Sequence, residues 1–151
     1  MSRRQKGNPM VRFTALLVVS LLILQLKPAA AETLLVTVTG FRGIKGTLYV
    51  TVWRDEAHFL TDLRHAAARR VLPVSGPEMT VAVDGLSRGV YAVTAFQDEN
   101  GNGELDRNFI GMPKEPAGVS NDARGVMGPP KFRDAAVALN GASRNMTLRL
   151  R

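Results

Sequence analysis

The stretch LLVTVTGFRGIKGTLYVTVW, residues 34–53, holds two alternating runs on either side of a glycine-rich segment. In the first run Leu34, Val36 and Val38 fall on one face of an extended chain and Leu35, Thr37 and Thr39 on the other. In the second, Leu48, Val50 and Val52 share a face while Tyr49, Thr51 and Trp53 line its reverse. A period of two in β-branched and aromatic residues predicts two strands, and Gly40, Gly43 and Gly46 predict the turn between them.

Downstream the same signature returns around residues 68–74, 79–84, 89–97, 135–139 and 144–150. The last run alternates most cleanly, with Met146, Leu148 and Leu150 expected inward and Thr147, Arg149 and Arg151 outward. Asp55 is placed to cap a short helical turn that tucks Phe59 and Leu60 inward. About seven short strands, without the long helices that parallel crossovers need, predict an all-β fold. The expected architecture is a single antiparallel β-sandwich, immunoglobulin-like or transthyretin-like. Trp53 on an early strand is similar to the core tryptophan of immunoglobulin domains, without their cysteines. Residues 108–131 are rich in Gly and Pro with little strand character, and a connection that long is either functional or disordered.

Upstream, Arg3, Arg4, Lys6 and Arg12 precede an apolar run from Thr14 to Leu26, followed by Ala29-Ala30-Ala31 before Glu32. A basic stretch, an apolar core and small residues, in that order, predict a cleavable signal peptide over residues 1–31. The apolar run falls short of the roughly 20 residues that cross a hydrocarbon core as a helix. Export to the periplasm or the extracellular space is therefore expected, with no transmembrane segment after cleavage and one domain over residues 32–151.

The leader carries five of the 20 basic residues and none of the 13 acidic ones, leaving 15 against 13 in the remainder. The basic pI of the whole chain thus gives no reason to expect nucleic acid or an anionic membrane as a partner. Cysteine is absent, which excludes disulfides, thiolate metal sites, a cysteine nucleophile and lipid attachment.

The chemically loaded segment is Asp98-Glu99-Asn100-Gly101-Asn102-Gly103-Glu104-Leu105-Asp106. Oxygen ligands at Asp98, Asn100, Asn102, the Glu104 backbone and Asp106, with Gly103 at the sharp turn, follow the alternate spacing of an EF-hand loop. That pattern suits Ca²⁺. Phe109 stands where the bidentate carboxylate would be, and the preceding residues alternate as a strand, so an ion would need completion by a carboxylate such as Glu115 or Asp122. The competing reading is a solvated turn, since Asp, Asn and Gly are the residues turns prefer.

The turn and strand Leu86-Ser87-Arg88-Gly89-Val90-Tyr91-Ala92, the acidic loop, residues 108–121 (NFIGMPKEPAGVSN) and Gly128-Pro129-Pro130-Lys131-Phe132 together resemble the DUF2141 family of secreted bacterial proteins. The resemblance covers essentially all of the chain after the leader and implies a single exported β domain. It implies no activity, so no catalytic or cofactor-binding residue is carried over.

Paired carboxyls among Asp98, Glu99, Glu104 and Asp106 raise the alternative of an envelope glycan hydrolase, which needs two of them facing one bond. A purely structural domain is the third reading. His58 and His65, seven residues apart, lack a metal-binding companion pattern and read as surface residues of the connection after Trp53, and Ser120 lacks the Gly-x-Ser-x-Gly context of a nucleophile elbow. The leading expectation is a non-catalytic binding or accessory module of the cell envelope, with an unknown ligand or envelope protein as partner.

Overall fold

The computed structural model describes residues 31–151, so the expected leader lies outside the described residues except for Ala31. The chain runs β1 (Glu32–Thr39), β2 (Thr47–Trp53), a 3₁₀ turn (Leu63–His65), β3 (Ala66–Pro73), β4 (Glu78–Leu86) and β5 (Gly89–Asp98). It continues through β6 (Ala117–Val119), a second 3₁₀ turn (Ser120–Asp122), the one-turn helix α1 (Phe132–Ala135), β7 (Val137–Leu139) and β8 (Ser143–Arg149).

Eight strands form two sheets, one ordered β4-β1-β8 and the other β3-β2-β5-β6, with β7 also pairing with β5. The all-β sandwich read from the sequence is therefore the fold. The alternation of β1 holds throughout, with Leu34, Val36 and Val38 buried against the opposite sheet. Facing them are Leu48, Val50 and Val52 of β2 and Tyr91, Val93 and Ala95 of β5, with Val81 and Val83 of β4 and Leu148 closing the same core. Each such side chain contributes roughly 1.5–3 kcal/mol by leaving water.

Three features depart from the expectation. β1 and β8 pair in parallel, from Thr33 opposite Ser143 to Thr39 opposite Arg149. They are the first and last strands, so no hairpin constrains their direction. Residues 117–119, read as loop, form β6 against Thr94, Ala95 and Phe96. Ala135, expected at the start of a strand, instead ends α1 and is buried.

The last strand also seams the two sheets together: Ala117 and Arg151 exchange backbone N–H···O bonds of 3.1 Å in both directions. That approach explains Gly118, where a Cβ would sit 2.4 Å from the Arg149 carbonyl oxygen.

Trp53 lies outside the sandwich core. It joins Phe59, Ala92 and Ala135 in a second cluster on the reverse face of β2, with Phe132 packed against it. Trp53 meets Phe59 edge to face at 6.0 Å, and Phe59 meets Phe132 likewise at 5.6 Å. The Trp53 indole N–H donates to Thr94 Oγ1 at 2.9 Å, which satisfies its polar atom.

Leu148 is buried and its neighbour Arg149 is exposed. Leu148→Ala should cost roughly 2–5 kcal/mol and Arg149→Ala about 0.5 or less. Urea melts of both variants check this, and equal midpoints would refute the register.

Candidate functional site

Three consecutive residues at the end of β5 organise one end of the five-stranded sheet. Gln97 is fully buried, and its amide is spent on the turn between β1 and β2. Its Oε1 accepts the Arg42 backbone N–H at 2.7 Å, and its Nε2 donates to the carbonyls of Gly43 and Lys45 at 3.1 and 2.8 Å. Gly46 closes that turn with φ +73°, and a Cβ there would stand 2.1 Å from the Asp98 carbonyl oxygen.

Asp98 is 1% exposed, and each carboxylate oxygen accepts a backbone N–H: Gly101 at 2.7 Å and Gly103 at 2.8 Å. Both glycines have positive φ, the conformation that turns their amides back toward the carboxylate. Asn100 and Asn102 repeat the device, accepting from the N–H of Asn102 and Glu104 respectively. Their side-chain amides then donate to the two oxygens of Asp106, at 2.7 and 2.9 Å. Asp98, Asn100, Asn102 and Asp106 are thus joined in one compact loop, with Glu104 contributing its backbone N–H.

Of the two carboxylates considered as completing partners, Glu115 adjoins this loop. It is buried, and its oxygens accept the N–H of Glu99 at 2.8 Å and of Asp106 at 3.1 Å, pinning both ends of the segment. Asp122 instead pairs with Arg151 at 2.6 Å. Glu99 points to the β1–β2 turn, 2.9 Å from Lys45 and 2.7 Å from Arg42. The Lys45 hydrogen bond first, and Arg42 after it, hold its carboxyl below the usual range.

The chain then makes a second, smaller turn. Arg107 bridges Pro113, Asn108 N–H donates to the Met112 carbonyl at 2.8 Å, and Asn108 Oδ1 accepts from Ile110 and Met112. This fixes the backbone while leaving Phe109 99% exposed at the tip. Ser120 is structural: its Oγ accepts from Val93 N–H at 2.9 Å and donates to the Ala135 carbonyl at 2.5 Å, tying β5 to α1.

At the opposite end of β2 the fold gathers Asp55 with His58 and His65, the two histidines that the sequence reading places on the surface without a metal-binding pattern. Ligating atoms of Asp55, His58 and His65 lie within 4.8 Å of one another. The available signal was a repeat, Asp55-x-x-His58 and Asp62-x-x-His65.

The fold and these loops define an all-β sandwich with an elaborated edge, and comparison with known proteins agrees with the family suggested by the motifs. Residues 36–147 match a family model described as an uncharacterized protein conserved in bacteria (DUF2141), and the chain belongs to that family. No curated protein and no solved structure matches it. Among the described residues, no helix is long and apolar enough to cross a membrane.

Glu115→Ala would leave two N–H groups without their acceptor, at about 1–3 kcal/mol each where water does not reach them. The variant should lose roughly 2–4 kcal/mol in urea melts, with faster hydrogen exchange at the amides of Glu99 and Asp106 than at those of β1. Unchanged exchange at those two amides would remove Glu115 as the pin.

Proposed function

We propose that the protein is an exported, non-catalytic binding module of the cell envelope, whose partner-facing surface is the segment between Asp98 and Lys131. One observation carries this reading. Among the described residues, Phe109, Ile110, Met112, Val126 and Met127 account for five of the nine large apolar side chains left exposed, all within this segment. Phe109 and Met127 are 99% and 100% exposed. Large apolar groups held out in water favour contact with a partner, and loops on a rigid scaffold are the usual place for it. The glycan hydrolase reading loses support because Asp98 is occupied by backbone amides and Glu99 by two cations.

This reading is tested in living cells with a photo-crosslinking residue placed at Phe109, at Met127 or at the exposed Arg149 of β8. Adducts should form from the first two positions and not the third, on protein that begins at Glu32 by intact mass. Equal yields from all three positions, or none from the loops, would overturn it.

The same reading includes a calcium ion at the base of the surface, taken by Asp98, Asn100, Asn102, the Glu104 carbonyl and Asp106. Flexible oxygen ligands favour Ca²⁺ over Mg²⁺, which demands a tight octahedron. The ion competes with the two asparagine amides for the Asp106 carboxylate, so binding is weak, with Kd on the order of 10⁻⁴ to 10⁻³ M. Linked stabilisation is about 0.4 kcal/mol near Kd and approaches roughly 2.7 at a hundredfold excess. A rise in melting temperature at about 10 mM calcium, ten times the weakest Kd of that range, is expected. It should be absent with magnesium and in Asp106→Ala. If the wild type does not shift, or the variant shifts equally, the loop is a turn without an ion.

A further inference from the structure

The chain contains two histidines, and the fold lays one on the other: the rings of His58 and His65 stack at 3.7 Å between centroids and 7° between planes. We propose that Asp55, His58 and His65 form a binding site for a first-row divalent metal of the zinc class.

The backbone that brings them together is fixed independently of the imidazoles. Phe59, between the two segments, is buried among Trp53, Ala92 and Phe132. The His58 carbonyl accepts the N–H groups of both Thr61 and Asp62, at 3.1 and 3.2 Å, folding residues 58–62 into a tight turn. Leu60 takes φ +63° to make that turn, a left-handed conformation that a leucine seldom adopts. Asp62 then caps the 3₁₀ turn that ends in His65, accepting the Arg64 N–H at 3.0 Å. The sequence therefore returns its second imidazole to the face of the first.

The donor set decides the class of ion. Asp55 Oδ2 lies 2.5 Å from His58 Nδ1, and ligating atoms of Asp55, His58 and His65 all fall within 4.8 Å of one another. Donors on a tetrahedral zinc, at about 2.0–2.1 Å for nitrogen and 2.0–2.2 Å for oxygen, stand roughly 3.3 Å apart. The Asp55–His58 pair must open from 2.5 Å, the wider separations must close and the rings must splay, and exposures of 46%, 37% and 48% at Asp55, His58 and His65 leave these side chains room to rotate. Two neutral imidazoles and a carboxylate suit zinc, copper or nickel and offer too few oxygens for calcium or magnesium. Three protein donors leave one tetrahedral position to water.

Asp62 is a positioning residue. Its Oδ2 lies 3.7 Å from His65 Nε2, but the carboxylate is already chelated by Arg64 Nε and Nη2 at 3.0 and 2.8 Å. At that distance it makes no hydrogen bond to the ring, and it places His65 by capping the 3₁₀ turn rather than by binding the metal.

The group is separate from the acidic loop. β2 pairs with β5 from Thr47 opposite Asp98 to Trp53 opposite Ala92, so the strand's length, about 20 Å at 3.3 Å per residue, divides the two. Nitrogen donors at one end and oxygen donors at the other make their metals distinguishable.

The test uses untagged protein purified from cells expressing the full chain, stripped with a chelator and titrated with Zn²⁺ by calorimetry. A parallel titration follows the imidazole resonances by NMR, which two histidines make unambiguous. One zinc per chain and movement of both imidazoles are expected, with His58→Ala and His65→Ala each weakening binding by more than about tenfold and Asp62→Asn by less. Circular dichroism establishes that the variants fold, and the wild-type resonances need no variant at all. Zinc that leaves both imidazoles unmoved, or binds folded His58→Ala and His65→Ala as it binds the wild type, overturns the site.

Discussion

Everything functional in this domain hangs on the pairing of β2 with β5. The register from Thr47 opposite Asp98 to Trp53 opposite Ala92 puts one face of both strands into the sandwich and, on the other face, sets Trp53 and Ala92 into the second cluster. A slip of one residue would turn every side chain to the wrong face, so burial on both sides locks the pair. With the register locked, the ends of the pair are locked as well. One end delivers Gln97, Asp98 and Glu99 to the acidic loop, and the other launches Asp55 toward the two histidines.

The acidic loop illustrates how a charged segment becomes rigid. Asp98 and Glu115 are buried carboxylates, and a buried charge is tolerated only when it is well bonded. Both achieve this with backbone N–H donors, two for each carboxylate. Loop shape and charge burial are therefore one problem with one solution. The exposed tip at Phe109 is held by the same logic on a smaller scale, with Asn108 supplying the acceptor.

Most of the sandwich was legible in the sequence because β1, β2 and β8 bury a single face in the core, which writes a period of two into Leu34, Val36, Val38 and their counterparts. β6 was illegible for a different reason: its three residues are extended because Phe96 and Arg151 offer hydrogen bonds from elsewhere in the chain, not because of their own composition. The parallel direction of β8 was likewise set by a partner at the far end of the sequence. At the acidic loop, spacing revealed which oxygens alternate, but not that Asp98 is enclosed, nor which of Glu115 and Asp122 lies beside it. The histidines were legible as surface residues but not as neighbours, because their stacking depends on a turn through Leu60, whose positive φ no composition announces.

The parallel pairing of the first strand with the last has a consequence for when the domain can exist. β1 waits for β8, and Ala117 waits for Arg151, so the sandwich is sealed only when its two strands most distant along the described chain have met. Contacts that span nearly the whole chain are slow to form, because their closing entropy must be met before they return any stability. Until β8 arrives, β1 keeps one of its two hydrogen-bonding edges open to any other extended strand.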